Sequence, residues 1–190
     1  MNFADFKKSL SKINELIYFD REHFLREKTS NSSKLKQYIQ SAEGLLKSTN
    51  ILEEKYFIMG TLGNLYRILG ETQKAINILE RCLKIASTEL NFKREIVCKI
   101  RLGEALKYNN NHLKALEFFD GALELSLAHD SLYLDYVLQH KGKCLLELNK
   151  VIEAEKCFKE ALKLREYKGN EELIKSTQLA LDFIKNLKEK

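Results

Sequence analysis

Catalysis would have to begin from the histidines, cysteines and carboxylates, and their spacing argues against it. His23, His112, His129 and His140 are scattered along the chain. None stands in a pattern with an acid or nucleophile that general acid–base or triad chemistry requires. Cys82, Cys98, Cys144 and Cys157 form no CxxC pair, and no close Cys/His pairing suggests zinc. They read as small buried hydrophobes with free thiols, which places the protein in a reducing, cytoplasmic setting as an expectation. HExxH, GxSxG, GxGxxG and Walker signatures are all missing from the sequence. The expectation is a protein that is not an enzyme and needs neither cofactor nor metal.

Bulk chemistry narrows the partners. The 190 residues carry 32 Lys+Arg against 27 Asp+Glu, a formal net charge of +5. Arg contributes 7 of those basic residues, and Lys is interleaved with Glu along every segment. Such a pattern describes solvated helix faces. The best nucleic-acid candidate is the short stripe Lys93, Arg94, Lys99, Arg101 and Lys107. It has little aromatic interleaving for base stacking, so nucleic acid is disfavoured as a partner. No apolar run reaches the roughly 20 residues of a membrane span, and the first residues show no apolar signal-peptide core. Proline is absent, which suits long uninterrupted helices.

The elements that must position any site come from an internal repeat. Gly63, Gly103 and Gly142 sit 40 and 39 residues apart. Twelve residues after each stands Ala75, Ala115 or Ala154, then four further on Leu79, Phe119 or Phe158, and three further on Cys82, Ala122 or Ala161. Small, large, small at this spacing lies on one helix face. The glycine on the preceding helix lets the two backbones approach. Each unit is therefore a helical hairpin that cannot bury its apolar faces alone and stacks on its neighbours.

The breaks agree. Gly70, Asn109 to Asn111 and Asn149 punctuate the hairpins with residues that accept a left-handed, helix-ending backbone. The spacing predicts helices near 3–27, 33–48, 51–69, 72–89, 91–108, 112–129, 131–148, 151–167 and 171–188. The fold class is all-α: an α-solenoid of antiparallel helix hairpins, about nine helices in a single domain over 1–190. Residues 1–50 form a degenerate N-terminal hairpin, 51–168 three clear repeats, and 170–190 a C-terminal capping helix.

Leu62-Gly63-x-x-Tyr66 followed by Ala75, Leu79 and Cys82 resembles the tetratricopeptide repeat, as do Ala115, Phe119, Ala122 and Ala154, Phe158, Ala161. The repeat length of 39–40 marks a long variety, and the early Trp and late Pro of the family pattern are missing. The resemblance implies a right-handed superhelical α-solenoid with a concave groove, lined by the first helix of each repeat, that binds proteins or peptides. Its groove positions fall on Asn64, Arg67, Arg101, Lys107, Tyr108, Tyr136, His140 and Lys143. Asn can hold peptide backbone, Arg and Lys a carboxylate, and Tyr an apolar edge. Basic groove residues outnumber Glu104 and Glu147, the two Glu at further groove positions, so an acidic segment or a C-terminal carboxylate is the expected ligand.

The carboxylate clamp of chaperone-binding members is matched only at Asn64, because Gly60, Arg101, Tyr136 and His140 replace the rest. The functional expectation is a protein- or peptide-binding scaffold or adaptor. The alternative is a peptide-sensing regulator acting on a signalling or transcription partner. Self-association through solenoid ends or convex faces is left open, as is an N-terminal element lying across the groove.

Overall fold

A computed structural model describes residues 2–189; Met1 and Lys190 lie outside the described residues. Helices α1 (Phe3–Ser9), α2 (Ser32–Ser48), α3 (Leu52–Leu69), α4 (Thr72–Thr88), α5 (Phe92–Tyr108), α6 (His112–His129), α7 (Leu134–Glu147), α8 (Val151–Lys168) and α9 (Glu171–Lys188) account for most of the chain. From α2 onward each helix packs on its successor, and α3, α5 and α7 also touch one another along one side. The result is an α-solenoid.

The repeat offsets act as the spacing predicts. A Cβ placed on Gly103 would meet the Phe119 ring at 2.7 Å, and one on Gly142 would meet Phe158 at 2.8 Å. Gly63 faces Leu79 in the same way. Ala75, Ala115, Ala122, Ala154 and Ala161 are fully buried. Helix ends are also set locally. Asn31, Asn91 and Asn170 accept hydrogen bonds from the backbone N–H of Lys34, Arg94 and Leu173, which caps α2, α5 and α9. Gly70 (φ 89°), Asn110 (φ 60°) and Asn149 (φ 60°) take the left-handed turn between paired helices.

One expectation is corrected. Residues 3–27 are not a single helix. After α1 the chain makes a 3₁₀ stretch (Leu10–Leu16), then strands β1 (Ile17–Asp20) and β2 (Arg26–Thr29) joined by a short 3₁₀ turn. The strands pair antiparallel with Phe19 opposite Glu27 and Asp20 opposite Arg26. Ile17-Tyr18-Phe19 is a β-branched and aromatic run that favours strand over helix. Asp20 then accepts a hydrogen bond from the Glu22 N–H at 2.9 Å, and Phe24 and Leu25 turn left-handed (φ 52° and 58°), which ends any helix there.

A two-stranded hairpin has little stability of its own. This one is held by what it packs against. Leu25, 2% exposed, enters the C-terminal core beside Leu145, Leu146, Phe158, Ala180 and Ile184. Asp135, fully buried, ties the last three helices together: Arg165 Nε donates to it at 3.0 Å and Arg165 Nη1 to Thr177 Oγ1 at 2.7 Å.

Candidate functional site

The side of the solenoid formed by α3, α5 and α7 carries polar residues that are nonetheless buried: Arg67, Glu104, Lys107, Gln139 and Lys143 are all 6% exposed or less. The β-hairpin covers them. Glu27 of β2 pairs with Arg67 of α3. Arg26 makes a forked contact with Glu147 at the end of α7, Nε at 3.0 Å and Nη2 at 2.5 Å. Its Nη2 also donates to the Lys107 carbonyl at 3.1 Å. The backbone N–H of Glu27 donates to the Tyr108 hydroxyl at 2.5 Å. The Tyr108 ring carries the Arg67 guanidinium at 4.5 Å and that of Arg26 at 5.0 Å.

The network continues beneath the strand. Glu104 meets Lys107 at 3.0 Å, His140 at 3.1 Å and Arg67 at 3.6 Å. Glu147 meets His112 at 2.7 Å and Lys107 at 3.5 Å. Burial alone would raise the carboxyl groups. Lys107, His140 and Arg67 instead hold Glu104 well below the usual carboxylate range, while Arg26, Lys107 and His112 lower Glu147, and Arg67 and Lys143 lower Glu27. Arg26, Arg67 and Lys107 balance Glu27, Glu104 and Glu147. An interlocked set of this kind gives its partners one geometry, because any slip strands a buried charge.

The eight groove residues named from the sequence lie together on this face, in three groups. Arg67, Lys107 and Tyr108 belong to the network that holds β2. Asn64, Arg101, Tyr136 and His140 line a cavity of about 420 Å³ beside the hairpin, with Tyr133, Val97 and Ile100. Asn64 also accepts a hydrogen bond from Arg67 at 2.6 Å. Lys143 lines a second cavity of about 420 Å³ between α7, α9 and β1.

Two of the expected anion contacts, Arg67 and Lys107, are thus already neutralised. Arg101 and Lys143 have no carboxylate within ion-pair distance among the described residues. Arg101 lies directly against Gly60, so the position where a clamp lysine would stand is filled by its guanidinium. The basic stripe on α5 is largely paired: Lys93 with Asp130 and Lys99 with Glu95, each at 3.6 Å, and Arg94 with Glu53.

Sequence reasoning missed the hairpin residues Phe19, Leu25, Arg26 and Glu27. The signal was the strand-prone run Ile17-Tyr18-Phe19 followed by the turn former Asp20. Cys82, Cys98 and Cys144 are buried as expected, and burial pushes Cys144 up to about 12, which leaves it a poor nucleophile. Among the described residues, metal-type donors gather at Asp20, Glu22 and His23 in the hairpin turn. Asp20 there is already engaged by Lys28 at 2.5 Å and His23 at 2.7 Å.

Residues 58–89 and 136–168 match the family model of the tetratricopeptide repeat. No curated protein matches the sequence. Among solved structures the chain is similar to the apo form of RapI, with 17% identity over 98% of this chain and 64% of that one, at a TM-score of 0.68. It is similar to a Rap protein complexed with competence and sporulation factor, with 22% identity over 80% of this chain and 43% of that one, at 0.72. It is also similar to PlcR of Bacillus thuringiensis in complex with the peptide PapR7 and DNA, with 19% identity over 77% of this chain and 54% of that one, at 0.68. The chain thus spans 43% to 64% of the length of these three proteins. The similarity is one of fold, and no catalytic family is indicated. No helix of the described residues is long and apolar enough to cross a membrane.

Proposed function

From a chain that carries tetratricopeptide repeats, we propose a non-catalytic binding module that takes an extended segment of a protein or peptide on the face formed by α3, α5 and α7. One observation carries this reading: the chain's own strand β2 lies on that face as an extended segment, held through both side chains and main chain. Glu27 offers its carboxylate to Arg67 and its backbone N–H to Tyr108, while Arg26 is forked by Glu147. Groups that grip one extended strand in this way suit another. The hairpin is then an intramolecular competitor, and a partner must either displace it or use the cavity beside it that Asn64, Arg101, Tyr136 and His140 line.

A second reading is a peptide-sensing regulator, in which peptide binding moves the hairpin and the altered surface acts on a signalling or transcription partner. Its support is the likeness of fold to a Rap protein solved with competence and sporulation factor and to PlcR solved with the peptide PapR7. Direct nucleic-acid binding finds less support, because Lys107 is buried and the other stripe residues except Arg101 are paired.

The test uses the full chain with Arg26→Ala and Glu27→Ala together, and a fluorescein-labelled synthetic peptide of residues 22–30 as probe. A tethered competitor acts at an effective concentration on the order of millimolar, so the wild type should bind the probe at least tenfold more weakly than the variant. Failure of the variant to bind the probe, with its hairpin shown to be detached by hydrogen exchange, would overturn the reading.

A further inference from the structure

The second cavity, between α7, α9 and β1, presents two polar groups that the protein leaves without a hydrogen-bond or ion-pair partner. Gln139 is 2% exposed, and neither its Oε1 nor its Nε2 has a hydrogen-bond partner. Lys143 is 6% exposed and, alone among the buried cations of the described residues, makes no ion pair. Arg67, Lys107 and Arg165 all do. Gln139 and Lys143 are one turn apart on α7 and so share a face. Both line the same cavity of about 420 Å³. The Phe19 ring of β1 lies 4.6 Å from the Lys143 ammonium.

A fold gains nothing in stability from an unpaired buried amide beside an ammonium that no carboxylate neutralises. We infer that this cavity is a seat for a carboxylate, bound between the Lys143 ammonium and the Gln139 side-chain amide. The charge count selects a monoanion. Arg165 is committed to Asp135 and Glu27 to Arg67, while Glu172 and Lys175 at the rim offset each other. One positive charge remains, on Lys143, so the second negative charge of a dianionic phosphate would find no counterpart.

Gln139 refines the ligand further. Its Nε2 donates to the second carboxylate oxygen, and its Oε1 is then free to accept from an N–H adjoining that carboxylate. An acylamino acid has this arrangement, either as a free molecule or as the last residue of a peptide. Because Phe19 of the hairpin forms one wall, the seat exists with the hairpin in place and does not rest on its displacement.

The experiment follows the Lys143 side chain by NMR in the full chain at constant ionic strength. The probes are N-acetylglycine, sodium acetate, inorganic phosphate and a tripeptide with a free or amidated C-terminus. N-acetylglycine should raise the Lys143 titration midpoint by about one pH unit or more, as an opposite charge does at close range. Acetate, which lacks the N–H, should bind about tenfold more weakly, in line with one lost hydrogen bond to a buried group. The free-acid tripeptide matching or exceeding N-acetylglycine identifies the chain terminus as the source, and N-acetylglycine binding more tightly identifies a free acid. The amidated tripeptide and phosphate should leave Lys143 unmoved.

Gln139→Leu should weaken N-acetylglycine about tenfold. Gln139→Glu, nearly isosteric, supplies the carboxylate from within: the Lys143 midpoint should rise without ligand and stop responding to it. An unmoved Lys143 at saturating carboxylate, a phosphate response equal to that of N-acetylglycine, or a wild-type response in both Gln139 variants would overturn the inference. Those results would leave the peptide probe of residues 22–30 to decide the groove reading by itself.

Discussion

Replacing Lys143 by methionine should make the protein more stable at neutral pH, although it removes a groove residue. Lys143 is 6% exposed, has no carboxylate partner and is pushed by burial from 10.5 down to about 8, with Glu27 opposing that change and Lys107 adding to it. A tenfold loss of proton affinity corresponds to about 1.4 kcal/mol, so the charged form costs the fold about 3 kcal/mol. Methionine keeps the buried methylene stem and removes the ammonium. Since folding lowers this value, the unfolded chain binds more protons between pH 8 and 10.5, and wild-type stability should climb with pH through that window. The advantage of Lys143→Met should therefore be about 3 kcal/mol at pH 7 and fade by about pH 10.5. Urea unfolding of both proteins at pH 7, 9 and 10.5, followed by far-UV circular dichroism, measures it. A variant less stable than wild type at pH 7, or a gain that does not change with pH, would refute the argument from an unpaired buried charge.

The Arg26→Ala, Glu27→Ala pair should free the hairpin. Removing one partner of a buried ion pair costs about 3–5 kcal/mol, so exchange of the β1 and β2 amides should accelerate about a hundredfold or more while α3 to α8 stay protected, as hydrogen-exchange mass spectrometry would report. Retained hairpin protection would count against the network as its anchor. Acid should act in the same place: Glu27, Glu104 and Glu147 are held below their ordinary 4.5, so their contribution is full above that pH and is lost as pH falls below it. Tryptic cleavage after Arg21, Arg26 or Lys28, assayed by brief return to neutral pH after acid exposure, should rise from about pH 4 downward. Gly103→Ala should destabilise by about 1–3 kcal/mol, because its Cβ would meet the Phe119 ring at 2.7 Å; a thermal midpoint at or above that of wild type would refute the close-packing role.

The solenoid was legible in the sequence because its rules are local and repeated. The same offset of 16 residues links Gly63 to Leu79, Gly103 to Phe119 and Gly142 to Phe158, and each pair is in van der Waals contact range. Gly70, Asn110 and Asn149 mark the turns by backbone chemistry that needs no knowledge of the rest of the chain. The N-terminal segment obeys no such rule. Phe3, Phe6, Leu10, Ile13 and Ile17 recur at helical spacing, so the pattern alone reads as one long helix. What decides the outcome is the tertiary fit of Leu25 into the C-terminal core and of Glu27 onto Arg67, 40 residues away in sequence.

The same reasoning explains why the site was half legible. Family positions identify which side chains face inward, and Asn64, Arg67, Arg101, Lys107, Tyr108, Tyr136, His140 and Lys143 do share one side of the solenoid. They do not reveal which charges are already spoken for. Arg67 and Lys107 look like ligand contacts until Glu104, Glu147 and a strand from the far N-terminus are placed beside them. Ion pairs subtract from a groove's binding capacity as much as basic residues add to it. Once the pairs are counted, the apparent excess of positive charge on the face reduces to Arg101, still partly exposed, and Lys143, buried beside an amide that has no partner. A ligand that carries one negative charge meets its unpaired counterpart at Lys143, and a second negative charge has only Arg101, on the neighbouring cavity, left to meet.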